Sequence, residues 1–122
     1  MLKAVLMAAG LAMAGSALAQ TAQSLGAPAG SAERGKKLYM QQLCHTCHGT
    51  LGQGGDRGSG PRIYPKPYPF QAFVVQVRKP RQTMPPYSEK NVSDQDLADM
   101  YHYLFSTKPS PAAQDIPLLK DF

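Results

Sequence analysis

Cys44-His45-Thr46-Cys47-His48 constrains this chain more than any other stretch, because a Cys-x-x-Cys-His run is the sequence form of covalent c-type haem attachment. Each residue type has a geometric reason. Two thiols three positions apart on one helical turn can each form a thioether to a haem vinyl group. The histidine beside the second thiol is then held under the iron, where its imidazole can serve as the proximal ligand. A chain built on such a run is expected to wrap one covalently held haem c.

Two other chemistries use paired cysteines. A Cys44–Cys47 redox disulfide of thioredoxin type calls for a surrounding βαβ pattern, and none is visible. A zinc site needs four ligands. After Cys44, Cys47 and one neighbouring histidine, only His102 is left to complete it. The haem reading is the one that gives Cys44, Cys47 and His48 a role each.

The chain has 122 residues, enough for one domain. Residues 1–19 read as a targeting segment: Lys3 gives a positive start, Ala4 to Ala14 an apolar core, and Ala17-Leu18-Ala19 a cleavage signal. The apolar run is shorter than the ~20 residues that span a bilayer, so no permanent membrane anchor is expected. No cysteine follows the cut, which gives no sign of a lipid anchor. Cleavage after Ala19 and export to the periplasm are the expectation. Residues 20–30 are small and polar and read as a flexible leader. Residues 31–108 hold the domain and residues 109–122 form a C-terminal tail. Both cysteines of the chain belong to the haem run, leaving none for a structural disulfide.

Ser31 can cap a helix that runs from Ala32 to Leu43, with Glu33 near its positive end. Gly49 to Gly60 carries six glycines and no periodicity, so it is a loop. Pro65, Pro67 and Pro69 make a stiff extended connection. Phe73, Val74, Val75 and Val77 suit a strand by propensity. Ser93 and Asp96 form a near capping box, and Val92 and Leu97 stand at the spacing of a hydrophobic staple. Leu97, Met100, Tyr101 and Leu104 then mark one buried helical face before Lys108-Pro109 ends it.

Gly35, Tyr39, the Cys44–His48 run, Gly60-Pro61, Met84-Pro85 and the last helix together resemble the class I c-type cytochromes. The resemblance implies an all-α chain, a small cytochrome c fold of three to four helices around one haem. In that family a glycine and an aromatic on the first helix meet the last helix, through Tyr101 or Tyr103 here. Gly35 and Tyr39 stand nine and five residues before Cys44, where the family has eight and four. One extra residue rotates the face by about 100° unless the turn before Cys44 absorbs it. The resemblance further implies that residues 70–79 are a short helix ended before Pro80, against their strand propensity.

For the site, the resemblance implies that the Pro61 carbonyl accepts the His48 Nδ1–H, fixing the tautomer. Pro61 as a plain turn residue is the competing reading. Ile63 is expected on the proximal ring face. Met84 is the expected distal ligand through its sulfur, on a loop that Pro85 stiffens. Other candidates for that position are Met40 and Met100, read as helix core, His45, poorly placed between the cysteines, and His102, read as a surface residue.

The implied function is one-electron transfer between a donor and an acceptor redox protein. Imidazole and thioether ligands fill both axial positions, leaving no place for substrate. Arg78, Lys79 and Arg81 read as a basic rim that steers acidic partners, or else as a solvated charge run. Nucleic acid is not an expected partner, given the export signal and the modest net charge of +5. Two rivals stand beside the carrier. One is a haem enzyme, which requires an open distal site. The other is a subunit held permanently by a dehydrogenase or oxidase, for which the apolar Ile116, Leu118, Leu119 and Phe122 are the hint. Folding of that tail back onto the domain is the default expectation.

Overall fold

The computed structural model describes residues 22–23, 25–55, 59–64, 68–109 and 111–119. The targeting segment, Pro65, Pro67 and Phe122 lie outside them. Four α-helices stand among the described residues: α1 (Ala32–Gln41), α2 (Cys44–His48), α3 (Phe70–Arg78) and α4 (Asp94–Ser106). No strand occurs among those residues, and the all-α expectation of three to four helices holds.

Local chemistry starts the two long helices where the sequence places them. The Ser31 hydroxyl accepts the Arg34 N–H at 3.2 Å and caps α1. Ser93 and Asp96 close a full capping box on α4, with bonds of 3.1 and 2.9 Å. Burial works against the Asp96 carboxylate, yet Ser93 and the Arg34 guanidinium outweigh it and hold its pKa below the ordinary value. Arg34 also pairs with Asp99, whose other oxygen accepts the Ser31 N–H at 2.7 Å. The start of α1 is thereby tied to the middle of α4.

These ties sit where α1 crosses α4. Gly35 lies so close to the Asp99 carbonyl that a Cβ there would overlap it. One turn further, the rings of Tyr39 and Tyr103 meet with centroids 5.7 Å apart. Tyr103 is therefore the residue that meets the first helix. Tyr101 faces the other way, into Phe70 and Phe73 of α3 at 5.3 and 5.6 Å. Burial decides the fate of the valine-rich stretch. Phe70, Phe73 and Val77 recur at helical spacing and are buried, while Val75 is 60% exposed. Tertiary packing overrides strand propensity there.

The extra residue before Cys44 is absorbed at Leu43, which takes a left-handed conformation with φ 59°. A non-glycine residue rarely adopts that backbone. It separates α1 from α2, so Gly35 and Tyr39 both stay buried against α4.

His102 departs from its surface reading. It is 6% exposed, and its Nε2–H donates to the Pro28 carbonyl at 2.8 Å. The described part of the leader is laid along α3 and α4: the Leu25 carbonyl accepts the Phe70 N–H at 2.9 Å, and the Ala29 carbonyl accepts from Gln95 at 2.8 Å. In the tail, short 3₁₀ turns cover Ala113–Asp115 and Pro117–Leu119, and Leu118 is 84% exposed. Self-packing does not reach that leucine.

Gly35→Ala is expected to force α1 and α4 apart and to destabilise the fold by about 1–3 kcal/mol, the usual range for overpacking. Thermal denaturation of the haem-loaded protein followed by circular dichroism measures it; an unchanged melting point contradicts the close crossing.

Candidate haem site

The site is assembled from loops hung on the helix crossing. α2 begins after Leu43, whose carbonyl accepts the Thr46 hydroxyl at 2.7 Å. Its single turn leaves Cys44 half-buried and Cys47 exposed, with no disulfide between them. Burial pushes the Cys44 thiol up to about 11. No strand flanks the pair among the described residues, whereas a thioredoxin-type pair calls for a βαβ surround. His102, the further ligand that a zinc reading needs, is bonded to Pro28 instead.

Three further features hold the segment after α2. The Tyr39 hydroxyl donates to the Gly49 carbonyl at 2.9 Å, and the Tyr103 hydroxyl to the Thr50 carbonyl at 2.6 Å. Gly60 passes so near the Cys47 carbonyl that a side chain there would collide with it. That approach brings Pro61 beside His48. His48 Nδ1 stands 2.9 Å from the Pro61 carbonyl. A carbonyl only accepts, so Nδ1 carries the proton and Nε2 is left free as a donor atom to a metal. Ile63 follows, its N–H bonded to the Gly52 carbonyl at 2.9 Å.

Met84 comes from the segment between α3 and α4. Gln82, at φ 61°, turns the chain just before it. Tyr87 fastens the segment after it, donating its N–H to the Val77 carbonyl at 3.1 Å and its hydroxyl to the Gln42 carbonyl at 2.9 Å. The Gln76 amide donates to the Met84 sulfur at 3.7 Å.

Cys44, Cys47, His48, Pro61, Ile63 and Met84 all line one cavity of about 770 Å³. That volume lies inside the ~300–1,000 Å³ range of cofactor sites. Tyr68, Phe73, Val77, Val92 and Leu97 make the rest of its wall largely apolar. Of the other sulfur and imidazole candidates, Met100 lines the cavity as part of the buried face of α4, whereas Met40, His45 and His102 do not line it. Two thiols on one turn, an oriented imidazole and a thioether suit a haem c in both donor chemistry and volume.

The basic rim changes composition. Arg81 and Arg62 line the cavity, and Lys79 is exposed. Arg78 does not belong with them. Its guanidinium is bonded to the Tyr87 and Val92 carbonyls and to Asp94, and its side chain is 18% exposed.

Sequence reasoning missed Gln76, the structural task of Arg78 and the phenol donors. Their partners are backbone carbonyls or a sulfur far along the chain, which leave no local pattern.

A cavity of this size walled by paired thiols, imidazole and thioether, and carried on four helices, is the site of a c-type cytochrome. Residues 30–104 match the family described as cytochrome C oxidase, cbb3-type, subunit III, and the chain belongs to that family of class I monohaem c-type cytochromes. A stretch of 70 residues is 33% identical to cytochrome c-555 of Methylococcus capsulatus (strain Bath), covering 57% of each chain. The chain thus spans just over half the length of that relative. No solved structure matches it.

Met84→Ala is expected to abolish the far-red thioether-to-iron charge-transfer band of the ferric protein and to lower its reduction potential. Gln76→Leu is expected to keep the band but also lower the potential, because the amide draws electron density from the sulfur. Absorption spectra and redox titration measure both; a band that survives Met84→Ala moves the ligand to Met100 or elsewhere.

Proposed function

We propose that this chain is an electron carrier holding one haem c, bonded to Cys44 and Cys47, with His48 and Met84 as the axial ligands. The observation that carries the reading is the convergence of all four side chains on one apolar cavity. The bound haem supplies one-electron chemistry between ferrous and ferric iron. The chain's own residues supply the rest. Pro61 orients His48 through Nδ1, and Gln76 and Tyr87 restrain Met84 and its neighbours. Tyr68, Phe73, Val77, Val92 and Leu97 would give the haem an apolar surround, and burial of this kind tunes its reduction potential.

Location and partners follow from the same reading. Residues 1–19 act as a signal peptide cleaved after Ala19, and the carrier works in the periplasm. No helix among the described residues is long and apolar enough to cross a membrane. Arg62 and Arg81 line the cavity, Lys79 is exposed two residues before Arg81, and this charge favours acidic faces on the donor and the acceptor.

A second reading places the protein as a fixed subunit of an oxidase or dehydrogenase. The family description names an oxidase subunit, and Leu118 and Leu119 are exposed in the tail. Deleting residues 116–122 and sizing the native complex separates a subunit from a diffusing carrier.

Acid–acetone treatment of the mature protein tests the covalent haem. Colour that stays with the polypeptide is the expected result, and extraction of the colour overturns the reading. Electron exchange with an acidic redox partner is expected to slow by roughly tenfold or more from low salt to 1 M, where the screening length falls to about 3 Å. Stopped-flow rates across that range measure it, and salt-independent rates remove the acidic partner.

A further inference from the structure

Residues 79–93 carry Met84 from the end of α3 to the start of α4 with no regular element of their own. Pro80, Pro85 and Pro86 stiffen the stretch but supply no N–H donor. Within the stretch, Tyr87 gives one attachment through its N–H and hydroxyl, and the carbonyls of the stretch need donors from outside it.

Arg78 is the last residue of α3 and supplies such donors. Its Nη1 donates to the Tyr87 carbonyl at 3.1 Å and to the Val92 carbonyl at 2.6 Å. Its Nη2 donates to Asp94 Oδ1 at 2.6 Å. One guanidinium thus joins three points: the exit of the Met84 stretch, its return, and the first residue of α4. The preceding residue, Val77, accepts the Tyr87 N–H. Val92 is 2% exposed, so its carbonyl has little access to water once Arg78 is removed. A planar fork of five donors can serve three acceptors at once, whereas an ammonium on a flexible stem presents a point charge.

We infer that Arg78 is the positioning residue that keeps Met84 on the iron, an inference that rests on Met84 being the axial ligand. Arg78 does not itself line the cavity, but bonds the carbonyls of two residues that do, Tyr87 and Val92. It acts by closing the stretch that bears the sulfur, and a thioether is a weak ligand that a loosened stretch releases. The same arginine that looked like docking charge in the sequence is spent inside the protein.

The test is an imidazole titration of the haem-loaded ferric full chain, read at the thioether-to-iron charge-transfer band. Apparent affinity for a competing ligand scales with the fraction of molecules whose iron is open. Arg78→Gln is expected to bind imidazole about tenfold more tightly than the wild type, with an unchanged far-UV circular dichroism spectrum. Arg78→Lys is expected to lie between the two and carries the comparison if Arg78→Gln does not fold. Asp94→Asn is expected to stay within about threefold of the wild type, because the Asp94 side chain is 64% exposed and its pair is screened. Wild-type imidazole affinity in both Arg78 variants overturns the inference while leaving Met84 in place. A band absent from the wild type, or surviving in Met84→Ala, removes the axial-ligand reading and this inference with it.

Discussion

The approach of α1 to α4 at Gly35 is the constraint on which the rest of the architecture depends. Only a hydrogen fits between the α1 backbone and the Asp99 carbonyl. The closeness brings Arg34 onto Asp96 and Asp99, and Tyr39 onto Tyr103. Both rings then stand where their hydroxyls reach the residues just after α2. The crossing is thus a frame, and the haem-binding loops are attached to it through phenols.

Tyrosine does this job four times. Tyr39, Tyr87, Tyr101 and Tyr103 each bury most of a ring and donate to a carbonyl on a loop or helix end. A buried phenol needs a partner, and a loop carbonyl near a cavity needs a donor. Each satisfies the other. The chain has 11 prolines and 11 glycines, which make its loops stiff or sharply turned but provide no side-chain hydrogen bonds of their own. Tyrosines, three of them on helices and one on the Met84 stretch, together with Arg62 and Arg78, help to make up that deficit.

Much of this was legible in the sequence. The Cys44–His48 run fixed the kind of site, and the capping residues Ser31 and Ser93 fixed where the long helices start. The pairing of His48 with Pro61 followed from the resemblance and is present in the structure. What could not be read has a common physical cause. His102 bonds the Pro28 carbonyl, 74 residues away, and Arg78 bonds two carbonyls and a mostly exposed carboxylate. Any amino acid offers a backbone carbonyl, so nothing in the partner's identity announces the bond. Residues 70–78 were ambiguous for another reason, since their helix is decided by Tyr101 and its neighbours rather than by their own propensity.

Leu43 has a consequence for how such chains tolerate change in length. A left-handed residue between two helical segments resets the direction of the backbone, so the angular phase of the attachment turn is uncoupled from that of the scaffold. The extra residue between Gly35 and Cys44 is taken up at this joint, and Gly35 and Tyr39 keep their burial against α4. The spacing from the scaffold aromatic to the first cysteine is then set by the joint and not by the interior.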